Sequence, residues 1–138
     1  MIAVDAGCFL ALADRRDAWH ARAVNSLPTQ AEGWITTWPV LTEACHLLNA
    51  RLGPYFAAAL IDDAAEGHLA IWTPGTETVT RLPALMRRYA NLPMDLADAS
   101  LVLLAEHLGH GRILSTDERD FETYRWKRHQ PFDNLLAA

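Results

Sequence analysis

Four acidic residues from four distant segments could act together in one chemical site. They are Asp5, Glu43, Asp98 and Asp117. Asp5 ends "MIAVD", Glu43 sits in "VLTEACHLL", Asp98 in "LADASLVLL", and Asp117 follows "RILST". Taken singly, each has an ordinary explanation. Asp5 and Asp117 suit helix or turn caps, Asp98 suits a first helical turn facing the dipole, and Glu43 suits a solvated helix face. Together they mean more. Like charges held at contact distance in a partly dry cleft repel, so they must take up protons or bind cations. Mg²⁺ and Mn²⁺ are hard ions that take oxygen ligands. A pair of them activates water and stabilises the leaving oxygen in phosphodiester hydrolysis.

The elements that must position these acids are legible as alternating strands and helices. Short apolar or β-branched runs predict strands over 1–5, 33–38, 68–73 and 112–116. Helical spacing predicts helices over 17–27, closed by Pro28, and over 39–53, with Leu41, Ala44, Cys45 and Leu48 on one stripe. Further helices are expected over 54–67, over 76–90 with a restart at Pro83, and over 95–108 with Leu101, Leu104, Ala105 and Leu108 buried. "PFDNLL" is a candidate edge strand. Strands separated by helices imply crossovers, hence a mainly parallel central sheet covered on both faces in an α/β fold. Ligands of such sheets bind beyond the carboxyl ends of the strands. Asp5 and Asp117 end or follow two strands there, and Glu43 and Asp98 begin helices nearby.

Other chemistries lack their residues. "GHGR" at 109–112 has no Lys-Ser/Thr ending for a phosphate loop. The six histidines form no constellation, although His46 shares a helix with Glu43. Asp5-Ala6-Gly7 lacks the second acid of an Asp-x-Asp phosphatase, and the only lysine, Lys127, lies in the tail, which disfavours a receiver domain.

At 138 residues, 51% of them hydrophobic and 21% charged, the chain reads as one domain over 1–138 and not as a disordered segment. Its formal charge of −5 disfavours a non-specific electrostatic nucleic-acid binder. A nucleic-acid enzyme stays open, because an acidic metal site lowers the sum until its ions bind. No apolar run is long enough for a membrane span, and the N-terminus has no basic region of a signal peptide. Cys8 and Cys45 sit among apolar residues and read as buried free thiols, which fits a cytoplasmic location.

"MIAVDAGCFLALADRRDAWHARA", "TTWPVLTEACHLL", "LPMDLADASLVLLAEHLG" and "RILSTDERDF" resemble, in order and across nearly the whole chain, the successive motifs of the PIN-domain family. Within it they are most similar to VapC-type ribonuclease toxins of toxin–antitoxin pairs. The resemblance implies a three-layer α/β/α sandwich and a Mg²⁺- or Mn²⁺-dependent endoribonuclease. It also implies an RNA substrate, a small antitoxin protein as partner and a homodimer. Its metal and catalytic acids fall on Asp5, Glu43, Asp98 and Asp117, and its strand-end Ser or Thr falls on Ser115. Ala6 departs from the Thr or Ser that many relatives have after the first acid. The alternative is a PIN-like module that binds RNA or protein without cutting.

Finer expectations concern single segments. "ILSTDERDF" should be split in role: Ile113 and Leu114 buried, Ser115 bonded near the strand end, Asp117 facing the metals, Glu118 and Arg119 toward solvent or substrate, Asp120 capping the turn and Phe121 packing back. Asp95 should cap the helix that carries Asp98. Arg119, Arg125, Lys127 and Arg128, interleaved with Phe121, Tyr124 and Trp126, have the composition of a single-strand RNA platform or, equally, of a solvated irregular tail. Trp19, Tyr55, Phe56, Ala59 and Leu60 are candidates for an exposed apolar patch, and the helices at 17–27 and 54–66 for a dimer face.

Overall fold

A computed structural model describes residues 1–27 and 32–137 of the protein. Five of its strands are β1 (Ile2–Val4), β2 (Trp34–Thr37), β3 (Leu69–Trp72), β4 (Arg112–Leu114) and the edge strand β7 (Asp133–Asn134). They make a wholly parallel sheet in the order β3-β2-β1-β4-β7. Parallel neighbours need crossovers, and helices supply them. α1 (Ala6–Ala13) and α2 (His20–Ser26) lead from β1 to β2, and α3 (Trp38–Arg51) and α4 (Pro54–Ala65) from β2 to β3. α5 (Thr76–Val79), α6 (Leu82–Arg88) and α7 (Leu96–Leu108) return to β4. α8 (Glu118–Thr123) and an antiparallel hairpin, β5 (Arg125–Trp126) with β6 (Gln130–Pro131), precede β7.

Every residue of β1 and β2 is buried. Successive strand residues point to opposite faces, so this burial means that helices cover the sheet on both sides. Ala3 sits between Ile35 and Ile113 in register, and Val4 pairs with Leu114. Removing side chains such as Ile113 and Leu114 from water is worth about 1.5–3 kcal/mol each. α7 runs through the middle of the core, with Ala99 to Ala105 all buried, and αL Gly109 ends it as its cap. The stripe Leu41, Ala44 and Leu48 of α3 is buried, as the spacing predicts, but Cys45, expected as a buried thiol, is only half-buried. Cys8 and Cys45 are both free thiols. No helix among the described residues is long and apolar enough to cross a membrane.

Two helical assignments need correction. Residues 6–13 form a helix that periodicity did not reveal. "AGCFLALA" is apolar all round, and five of its eight residues are buried, so it has no polar face to mark the period. The next helix begins at His20, not at 17, and Ala18, Ala21 and Val24 are exposed while Ala23 carries the burial. The delay has a local cause. Asp14 Oδ1 accepts from the Arg16 amide and Asp17 Oδ1 from the Trp19 amide, which are side-chain turns that compete with helix. The expected stop at Pro28 lies outside the described residues.

Candidate metal centre

Three helices begin at the carboxyl edge of the sheet with an aspartate as N-cap. Asp5 caps α1, Asp95 caps α7 and Asp117 caps α8, each accepting a backbone N–H of its own helix. The positive ends of the helices thus face one place and draw acids to it. Asp98, in the first turn of α7, and Glu43, in the second turn of α3, join them. One cleft of about 330 Å³ is lined by Asp5, Glu43, Asp98 and Asp117, together with Asp17, Asp95 and Asp120 and one arginine, Arg51. All four acids singled out in the sequence are therefore brought together.

Asp5 is the most deeply held, at 7% exposure. Its Oδ1 accepts from the Ala6 amide at 2.8 Å and its Oδ2 from Ser115 Oγ at 2.9 Å. Ser115 Oγ in turn accepts from the Asp117 amide at 3.0 Å, so one buried hydroxyl ties the first acid to the last. Asn134, on the edge strand, fixes Ser115 from behind: its Oδ1 accepts from the Ser115 amide and its Nδ2 donates to the Ser115 carbonyl. Thr37, at the end of β2, shares a 2.7 Å hydrogen bond with Ser100 of α7 and caps α3, which sets the helices of Glu43 and Asp98 against each other. Asp98 Oδ2 accepts from the Tyr124 hydroxyl at 2.8 Å.

The electrostatics are those of an overfilled anionic site. Burial, then the charges of Asp117 and Asp95, raise Asp5 from 3.8 to about 6 against the hydrogen bonds that lower it. Burial and the fields of Asp5 and Asp95 raise Glu43 to about 7, helped by a hydrogen bond to Asp95 that favours the neutral carboxyl. Burial and the Asp95 charge raise Asp98 to about 8. Burial and the Asp98 partner push the Tyr124 phenol upward, so it stays a donor. Among the described residues, the lining offers only carboxylate oxygens as anionic ligands, with seven acids against one guanidinium and no His or Cys. That donor set fits a hard divalent ion and not a soft one.

"ILSTDERDF" divides nearly as expected. Ile113, Leu114 and Ser115 are buried, Phe121 packs into the core, and Arg119 is exposed. The cap is the correction. Asp117 Oδ1, not Asp120, accepts the capping N–H, which comes from the Asp120 amide at 3.1 Å. Asp120 instead lies in the first turn of α8 and lines the cleft. Asp95 caps α7 as expected, accepting from the Asp98 amide at 2.8 Å. His46 is exposed and does not line the cleft.

The tail platform is also corrected, because Phe121 and Tyr124 are core residues. In the expected apolar patch, Tyr55 and Phe56 are exposed, Leu60 is buried, and Trp19 and Ala59 are less uniformly placed, with Trp19 half-buried. Asp63, Glu66 and His68 also bring ligand atoms within 4.8 Å of one another, but all three are exposed at the end of α4, and surface groups of this kind occur commonly without an ion.

Sequence reasoning missed Arg51, Asp17 and Gly7. Arg51 Nη1 binds Asp17 Oδ2 at 3.2 Å at the cleft rim. Its signal was available, since Glu43, Leu47 and Arg51 recur at i, i+4 and i+8 on one helix face. Gly7 carried none. A Cβ there would stand 1.9 Å from Thr116 Oγ1, so the β4–α8 loop closes over α1 only because this residue has no side chain.

Comparison with known proteins bears on the fold and the family. Ribonuclease VapC26 of Mycobacterium tuberculosis (strain ATCC 25618 / H37Rv) is 24% identical over 122 residues, spanning 88% of this chain and 90% of the relative. The crystal structure of Mycobacterium tuberculosis VapC20, a sarcin-ricin loop cleaving toxin, superposes with a TM-score of 0.79 at 20% identity, covering 86% of this chain and 92% of that one. The family profile of the PIN domain matches residues 2–127, and this chain belongs to the PIN-domain family.

Proposed function

We propose that this protein is a divalent-metal-dependent endoribonuclease that cuts RNA phosphodiester bonds as the toxin of a toxin–antitoxin pair. The observation that carries the reading is the convergence of Asp5, Glu43, Asp98 and Asp117 on one cleft in a PIN-family chain. The ribonuclease name of VapC26 supports the reaction and its substrate class. We assign Asp5, Glu43, Asp98 and Asp117 as the residues that would hold one or two Mg²⁺ or Mn²⁺ ions. Such ions, when bound, supply Lewis-acid stabilisation of phosphoryl oxygens and lower the pKa of an attacking water.

The chain's own groups do the rest. Asp5, pinned at both oxygens, fixes the floor of the cleft. Ser115 keeps Asp5 and the Asp117 backbone in register. Arg51, the one cation lining the cleft among the described residues, attracts the backbone phosphate of an incoming strand, while Asp17 holds its guanidinium in place. The raised carboxyls of Glu43 and Asp98 must lose protons before the site loads, which makes loading pH-dependent.

A small antitoxin protein, a homodimer and a cytoplasmic location belong to the same proposal. The half-exposed Trp38 and Leu96, beside an apolar pocket at the carboxyl ends of β2 and β3, and the exposed Tyr55 offer apolar surface for partners. The decisive experiment incubates the purified protein with single-stranded RNA in Mg²⁺, Mn²⁺ or chelator. Cleavage with either metal, lost in chelator and in Asp5→Asn protein, is expected. Tight RNA binding without cleavage in any metal would establish the non-cleaving module instead.

A further inference from the structure

Asp98 is the third residue of α7, behind the cap Asp95. In a capping box, the Glu or Gln at this position folds back and accepts the backbone N–H of the cap residue. Here Asp98 does not. Its Oδ2 is taken by the hydroxyl of Tyr124, 26 residues on, at 2.8 Å. Among the described residues, Oδ1 accepts no hydrogen bond, and the residue lines the acidic cleft.

Tyr124 itself has no freedom to follow a moving partner. It is fully buried, and its amide donates to the Asp120 carbonyl at 2.9 Å as α8 ends. Phe121 and Tyr89 pack edge-on against its ring, with centroids at 5.2 and 5.1 Å. The segment beyond it is anchored separately: the Arg125 amide donates to the Tyr89 hydroxyl, the Lys127 amide to Glu106, and Arg88 to the Arg128 carbonyl.

We propose that Tyr124 is a positioning residue for the metal centre: its hydroxyl holds Asp98 by one oxygen, away from its own helix end, so that the other oxygen is presented to the cation. This rests on the metal reading above. It gives the C-terminal tail a different role from RNA stacking, because the tail braces a carboxylate from behind. Outer partners that orient a ligand in this way typically account for about 10- to 100-fold in metal affinity.

The two tyrosines of this cluster provide a matched test. Tyr124→Phe and Tyr89→Phe each remove one hydroxyl and keep a ring, but only the first hydroxyl touches a candidate ligand. Mn²⁺ titration by calorimetry on purified, metal-free protein should show affinity about 10- to 100-fold weaker for Tyr124→Phe and unchanged for Tyr89→Phe. In an Asp98→Asn background, Tyr124→Phe should cost no further affinity, because the group it positions is gone. Wild-type affinity in Tyr124→Phe, equal losses in the two tyrosine variants, or a full loss persisting in the Asp98→Asn background would each overturn the assignment. Failure of the wild-type protein to bind Mn²⁺ at all is a different result, and it removes the metal reading together with this one.

Discussion

Replacing Asp5 by Asn should stabilise the metal-free protein while abolishing cleavage, and the size of the gain should depend on pH. The Asp5 carboxyl is raised from 3.8 to about 6, chiefly because it is buried. An acid whose folded pKa lies above its unfolded value holds its proton better when folded, so stability is highest at low pH and declines as pH rises from about 4 through 6. Two pH units at about 1.4 kcal/mol each put the full penalty near 3 kcal/mol, of which about 2 develops between pH 4.5 and pH 8.

Asparagine carries no charge, so it escapes this penalty. It still accepts from the Ala6 amide through its carbonyl, but its amide group meets Ser115 Oγ, which must turn from donor to acceptor. That rearrangement costs about 1 kcal/mol. Urea unfolding in chelator should therefore show Asp5→Asn more stable than wild type by about 1–2 kcal/mol near pH 8, and no more stable near pH 4.5. Saturating Mn²⁺ should reverse the order at pH 8, since a ligand at 100 times its Kd adds about 2.7 kcal/mol to the protein that binds it. A variant less stable than wild type at pH 8 without metal, or a difference independent of pH, would show that Asp5 is a structural cap and not a strained ligand.

Other outcomes follow from the same geometry. Mn²⁺ affinity measured by calorimetry should rise by at least about tenfold from pH 6 to pH 8, because carboxyls near 7 and 8 must release protons to bind. Asp117→Ala should lose most metal affinity and also about 1 kcal/mol of stability as the cap of α8, whereas Glu118→Ala should change neither appreciably. Gly7→Ala should destabilise by about 1–3 kcal/mol in thermal or urea unfolding, since the added methyl collides with Thr116. Arg51→Ala should raise KM for RNA more than it lowers kcat in steady-state cleavage assays if the guanidinium at the cleft rim meets a backbone phosphate, as proposed, and not the reacting atoms.

The parallel sheet was legible because its strands are short, apolar and separated by helices with clear stripes. Leu41, Ala44 and Leu48 on α3, and Leu101, Leu104 and Ala105 on α7, are buried where their spacing places them. The same rule failed on α1, where burial on all sides erased the stripe, and on α2, where Asp14 and Asp17 captured the first turn. A period reports contrast between two faces, so it is silent where both are covered and misleading where side chains close a local turn.

The four acids were legible for a related reason. Each stands at a boundary that the apolar pattern marks, and boundaries of parallel strands gather on one edge. What surrounds the acids obeys no such pattern. Ser115 was picked out by family resemblance, but its partners, Asp5 on one side and Asn134 on the other, join segments 110 and 19 residues away. Tyr124 looked like a stacking residue because its neighbours in sequence are basic. In the fold it is enclosed by Phe121 and Tyr89 and reaches Asp98 through a single oxygen. Acids that converge on one cleft can be inferred from where elements end, whereas the groups that hold them are selected by packing between elements. In this protein the aiming groups are neutral hydroxyls, Ser115 on Asp5 and Tyr124 on Asp98, and each supplies a donor without neutralising the acid it holds. No cation among the described residues offsets these two acids, so once their raised carboxyls release protons their charge is free for a metal ion while each is held at a fixed oxygen.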